Sequence, residues 1–187
     1  GKIKQDYKIS GSLKDGKITL FENNKLKKIN FLFNITGDNF NFRDINFVAN
    51  DINFLSDRLV VKKNKKDFFV KEILKNKKTS LKNEILKIIK LKYNQFNLIN
   101  TNFESVNNFT FKINNKLKVE NLIINSNILI DGSQYKRNDL ISNSLLEIND
   151  LIYLKDHKIK ASYTNKKLSI KGKGKVKLVD KFEFIDY

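Results

Sequence analysis

The sequence predicts a mostly β chain built from antiparallel strands. Apolar and polar residues alternate through much of its 187 positions, the period of a sheet with one greasy face. Polar pairs such as Gly37-Asp38, Asn114-Asn115 and Asn165-Lys166 interrupt the alternation where turns are needed. Only two stretches carry helical spacing, and both are short.

Residues 1–72 are expected to form a β-meander. The clearest row is Ile29, Phe31, Phe33 and Ile35, with Asn30, Leu32, Asn34 and Thr36 on the other side. After the Gly37-Asp38 turn, Phe40 and Phe42 resume the alternation. Ile45, Phe47 and Ala49 continue it one residue out of phase, which demands a bulge or bend near Arg43-Asp44. The tetrapeptide Asp-Ile-Asn-Phe occurs at 44–47 and again at 51–54. The offset is odd, so one straight strand would put the copies on opposite faces, and a turn at Asn50-Asp51 restores a common face. Upstream, Asp15-Gly16 reads as a hairpin between Tyr7–Leu13 and Lys17–Glu22, and Asn23-Asn24 as the next turn.

The pattern changes near residue 73, and 73–92 is expected as a helical insertion. Leu81, Ile85, Ile88 and Ile89 share a stripe away from Lys82, Lys87 and Lys90. This predicts a short amphipathic helix over 80–91, capped by Thr79 or Ser80. Residues 93–187 return to a β-meander with a short helix near 139–149, where Leu140, Ile141, Leu145 and Ile148 cluster. Strands are expected over 108–113, 116–125, 127–131, 158–163, 167–172, 174–179 and 181–185. No linker marks a boundary, so 1–187 reads as a single β-rich segment.

Composition bounds the function. Thirty-seven Lys and Arg against twenty Asp and Glu give a net charge of +17, a long-range attraction for anions. The cations are 34 Lys and 3 Arg, beside 27 Asn, 15 Phe and only 2 Ala, which tracks A/T-rich codons. An Arg-poor surface lacks the bidentate fork used on phosphates and guanines. With no Cys, a disulfide framework, a Cys-ligated zinc site and a Cys nucleophile are excluded. No apolar run approaches the ~18 residues that span a bilayer. The lack of Met leads us to expect a processed chain or an excised piece.

Catalytic signals are missing. The single histidine, His157, sits in Leu-Lys-Asp-His-Lys-Ile-Lys and reads as a surface residue among lysines. No metal-ligand spacing, nucleophile constellation or paired carboxylates stand out, so neither an enzyme nor a metal or cofactor site is expected. Lys171-Gly172-Lys173-Gly174-Lys175 lacks the spacing of a phosphate loop and reads as a strand with lysines in solvent. A one-faced sheet has to cover its apolar side. It can close as a sandwich or barrel, or curl into a trough filled by something else, and the residues leave both open.

Three segments, 9–20 (Ile-Ser-Gly-Ser-Leu-Lys-Asp-Gly-Lys-Ile-Thr-Leu), 40–47 (Phe-Asn-Phe-Arg-Asp-Ile-Asn-Phe) and 168–178 (Leu-Ser-Ile-Lys-Gly-Lys-Gly-Lys-Val-Lys-Leu), resemble the AsmA-like superfamily. Its larger members include the YhdP- and TamB-type envelope proteins. The resemblance lies in a Lys- and Asn-rich strand, a Gly or Asp-Gly turn, and the next strand. It implies an elongated, curved antiparallel β-sheet, a taco-like groove with two short helices inserted here. It implies an internal segment of a periplasmic protein of the Gram-negative envelope, with the inner-membrane anchor supplied outside this segment. The groove would carry phospholipid acyl chains between inner and outer membranes, with no cofactor. The candidate lining is Ile29, Phe31, Phe33, Ile35, Phe40, Phe42, Ile45 and Phe47. Two other readings stand beside it. One is a basic nucleic-acid-binding β-domain, but phenylalanines at alternating strand positions suit burial better than base stacking, so no specific nucleic acid is expected. The other is a structural or adhesive envelope module.

Overall fold

The computed structural model describes residues 7–19, 25–49, 51–81, 98–116, 118–136, 151–177 and 180–187. They form ten strands: β1 (Lys8–Thr19), β2 (Lys25–Thr36), β3 (Asn39–Ala49), β4 (Ile52–Asn64), β5 (Asp67–Ser80), β6 (Leu98–Ile113), β7 (Val119–Lys136), β8 (Leu151–Thr164), β9 (Lys167–Lys177) and β10 (Phe182–Asp186). The strands make one antiparallel sheet whose spatial order is their chain order. It is open, with β1 and β10 as its edges. Of the two ways to treat a one-faced sheet, closure by strand pairing is not the one adopted.

Several boundaries differ from those expected. The helix near 139–149 lies outside the described residues, as does that over 80–91 apart from Ser80 and Leu81. Thr79 and Ser80, expected as its cap, instead end β5, which runs through position 73 without a break. Asp15-Gly16 is not a hairpin, because β1 passes through it as one strand. One long strand, β7 (Val119–Lys136), stands in place of the two expected over 116–125 and 127–131, and β9 (Lys167–Lys177) runs through the break expected between 172 and 174. The Gly37-Asp38 and Asn165-Lys166 turns form as expected, and Asn23-Asn24 lies outside the described residues.

The chain divides into two compact units, one of residues 1–77, 106–126 and 161–169, the other of 78–105, 127–160 and 170–187. In β1 to β3, phase along the strands is set by three residues with left-handed backbone, Asp15, Lys28 and Asp44, at φ of 50°, 51° and 53°, and β4 shifts register against β5 between Leu55 and Leu59. The register between β1 and β2 shifts around Asp15 and Lys28, and that between β2 and β3 around Lys28 and Asp44. Each is a β-bulge that moves the following side chains one position. The left-handed conformation costs roughly 1–2 kcal/mol for an ordinary L-residue and less for Asp, whose short side chain bonds locally.

Asn30 ties these bulges together. Its Oδ1 accepts the Asp15 N–H at 2.9 Å, and its Nδ2 donates to the Lys28 carbonyl at 2.8 Å and to Asn46 Oδ1 at 2.8 Å. One amide thus serves β1, β2 and β3 and uses both its hydrogens. The bulges keep the apolar side chains on one face: Ile9, Gly11 and Leu13 then Gly16 and Ile18; Leu26 then Ile29 to Ile35; Phe40 and Phe42 then Ile45, Phe47 and Ala49. The phase slip at Arg43-Asp44 is therefore borne out. So is the common face of the repeated tetrapeptide, since Phe47 pairs with Phe54 and their rings stack at 5.4 Å and 26°.

The second unit buries polar groups. Thr101 and Ser133 are buried, and their hydroxyls bond to each other. His157 is only 4% exposed, which corrects its reading as a surface residue. The reason is Gly174 on β9, where a Cβ would collide with the imidazole ring. The bare backbone admits the ring, whose Nε2 lies 3.0 Å from the Lys175 carbonyl and Nδ1 3.2 Å from the Tyr187 hydroxyl. Tyr187 in turn covers Gly172 and exchanges two backbone hydrogen bonds with it. The Lys-Gly-Lys-Gly-Lys run is thus a strand whose glycines seat two rings, with Lys171 and Lys173 exposed.

Asn30→Leu should lower the unfolding free energy by about 1 kcal/mol, since the bulge partners are largely solvated and lose net rather than gross bonds. Urea unfolding of the first unit's signal checks this. An unchanged midpoint would mean that the bulges hold without the amide.

Candidate functional site

The candidate site is the apolar face of the first unit. It is assembled by register, because residues directly opposite across antiparallel strands point to the same side. One row runs Ile9, Ile35, Phe40, Val61 and Val70 over β1 to β5. The next runs Gly11, Phe33, Phe42, Leu59 and Glu72. Farther along lie the pairs Leu13–Phe31, Gly16–Ile29 and Ile45–Ser56, then Phe47–Phe54–Asn76 and Ile18–Leu26 with Ala49–Ile52.

All eight residues singled out in the sequence, Ile29, Phe31, Phe33, Ile35, Phe40, Phe42, Ile45 and Phe47, stand on this one face and are half-buried. Their rings meet edge to face: Phe31 with Phe42 at 5.4 Å, Phe31 with Phe33 at 6.3 Å, and Phe40 with Phe68 at 6.1 Å. Such pairs add about 0.5–1.5 kcal/mol each beyond area burial. Phe33 also lies over Gly11, where a Cβ would come within 2.7 Å of its ring. The face continues past the expected set into Phe54, Leu59, Val61, Phe68 and Val70. Leu59 and Val61 on β4 and Phe68 and Val70 on β5 alternate as the β2 row does, whereas Phe54 reaches this face only through the register shift between Leu55 and Leu59.

Little of the face is dry. Among the described residues only Ile52 and Val70 are fully buried apolar side chains. Toward β1 the face opens further, with Ile9, Leu13 and Ile18 at 51%, 39% and 49% exposure. The opposite face is polar and basic, with rows such as Ser10–Asn34–Asn41–Val60–Lys71 and Leu32–Arg43–Arg58. Its ion pairs are exposed, as in Lys75–Asp57 at 2.8 Å, and pairs of that kind add little stability.

Glu72 breaks the apolar pattern and was not singled out in the sequence. It stands opposite Leu59, in the row with Phe33 and Phe42. Both its carboxyl oxygens are buried without a hydrogen-bond partner, as is Ser56 Oγ. Burial raises its pKa above the usual carboxyl value, and the nearby Ser56 hydroxyl works in the opposite direction. The only signal for it in sequence is an acid in the alternation Phe68, Val70, Glu72, Leu74.

No group of His, Asp and Glu suited to a metal ion occurs among the described residues. No described helix is long and apolar enough to cross a membrane. Comparison with family models, with curated proteins and with solved structures finds no match to this chain.

An acid whose pKa is higher folded than unfolded takes up a proton on folding between the two values. Stability contributed by Glu72 is therefore greatest below its unfolded pKa, falls as pH rises through the folded pKa, and is level above it. Glu72→Gln should remove that fall, so the variant should melt higher than wild type at neutral pH and alike in acid. Thermal melts over a pH series check this. A variant that melts lower than wild type at neutral pH would show that the ionised group is welcome in its site.

Proposed function

We propose that this chain is the β-groove segment of an AsmA-like cell-envelope protein and carries phospholipid acyl chains along its apolar face. The reading places it in the periplasm as part of an elongated, curved sheet tethered to the inner membrane by other parts of the protein. The observation that carries it is an open sheet whose first unit presents one continuous, ring-rich face of half-buried side chains, with Ile52 and Val70 the only buried apolar ones among the described residues. A face of this kind left in water is unfavourable by roughly 25 cal/mol per Å², and an acyl chain laid on it gains about 0.8 kcal/mol per CH₂ withdrawn from water. Transfer along such a path needs no bond chemistry. The surrounding lysines would meet phosphate headgroups by charge attraction.

The arrangement of the aromatics favours this over the nucleic-acid reading. The rings pack in pairs, Phe31 with Phe33 along β2 and Phe31 with Phe42, Phe40 with Phe68 and Phe47 with Phe54 between strands. A stacking platform would hold its rings apart and flat to receive bases.

Lipid extraction of the purified chain followed by mass spectrometry tests the proposal, and phospholipid should be recovered. Phe33→Asp should keep the β spectrum and lose most of that lipid, because its carboxylate reaches water but lies across the acyl path. Leu32→Asp, on the opposite face, should keep it. Global unfolding of Phe33→Asp would mark a dry, packed interior, where an unpaired charge costs several kcal/mol, and would overturn the reading.

A further inference from the structure

We infer that occupation of the apolar face by a hydrocarbon chain is coupled to protonation of Glu72, so that the face holds its cargo more tightly in acid and yields it as pH rises. The inference rests on the acyl-chain reading above and adds a means of control to it.

The geometry is that of an acid placed inside the path rather than at its rim. Glu72 is in register with Leu59, and through it with Phe42, Phe33 and Gly11, at the β5 end of this row. Val70 and Leu74 flank it on its own strand, and Val70 is fully buried. Both carboxyl oxygens are buried, and the polar group beside them is the Ser56 hydroxyl, whose approach falls short of a well-formed hydrogen bond and only partly opposes the effect of burial.

Among the described residues, no charged group contributes to the Glu72 shift. From β4, Arg58 points to the opposite face with Arg43 of β3. Lys63, near the end of β4, is paired with Asp38, and Lys75 of β5 with Asp57. On β6, Lys112 is held by Asp67 at 2.9 Å and Glu120 at 3.5 Å. The upward shift of the Glu72 pKa arises from burial, with no cation pulling it down.

A hydrocarbon chain laid over Leu59 and Phe42 replaces the water that still borders this half-buried row, so the medium around the carboxyl becomes less polar although its oxygens are already covered. That penalises the carboxylate and leaves the neutral acid almost untouched. The neutral form therefore binds better, and by reciprocity the bound chain raises the proton affinity of Glu72. One linked proton limits the effect to about a tenfold change in affinity per pH unit, confined to the interval between the free and bound pKa values.

The test is titration of the full chain with the uncharged fluorophore N-phenylnaphthylamine across pH values from about 5 to about 9. Wild type should bind it more weakly as pH rises, by on the order of tenfold over the responsive interval. Glu72→Gln should lose that dependence and bind more tightly than wild type near pH 8. A wild-type affinity that is flat with pH, or a fall that persists in Glu72→Gln, overturns the coupling while leaving the acyl-chain reading in place. If neither protein binds the probe or carries lipid at any pH, the acyl-chain reading itself fails and the coupling falls with it.

Discussion

Everything in the first unit depends on keeping side-chain parity constant across five strands. A strand alternates sides with every residue, so one uncompensated insertion would turn the rest of its apolar row toward water. β1 to β4 each contain such an extra residue, which β1, β2 and β3 accommodate at Asp15, Lys28 and Asp44 with left-handed backbone and β4 between Leu55 and Leu59. The three left-handed bulges are adjacent across the sheet, and Asn30 satisfies the backbone groups that two of them leave over. Because these strands slip at neighbouring levels, their greasy sides remain aligned, and the ring contacts among Phe31, Phe33 and Phe42 follow from that alignment.

The two units solve burial differently. The first spreads apolar area over a broad face and seals only a little of it. The second sinks hydroxyls and an imidazole into its interior and provides each with a partner, as Thr101 with Ser133 and His157 with the Lys175 carbonyl. Polar groups buried with partners cost little, whereas the same groups unpaired are expensive. Against that background the unpartnered oxygens of Glu72 and Ser56 stand out as a local exception to the rule the rest of the chain follows.

Much of the fold was legible because alternation can be counted. The row from Ile29 to Ile35, the slip at Arg43-Asp44 and the shared face of the repeated tetrapeptide all follow from parity alone. Asp15-Gly16 misled because a left-handed Asp serves a tight turn and a mid-strand bulge equally well, and the neighbouring residues do not distinguish them. His157 misled for a different reason. Its burial is created by Gly174, a residue on another strand, and no local pattern announces that a distant glycine has cleared a seat. Of the candidate site, the phenylalanine rows were readable, while Glu72 was not. A single acid in an alternating stretch looks like any other solvent-facing residue until the partner strand shows which way it points.

The strict chain order of the sheet bears on how the molecule is made. Every strand finds its partners immediately before and after it in the sequence, so no pairing has to wait for a remote segment to arrive. Contact order is low for an all-β protein of this length, and loop-closure entropy for each added strand is small. Such a sheet resembles a one-dimensional array, in which each member is stabilised by its own residues and by two interfaces. Folding can begin at any well-formed hairpin and extend in both directions as the chain emerges. By the same logic, losing a strand at either edge removes one interface and leaves the remainder paired.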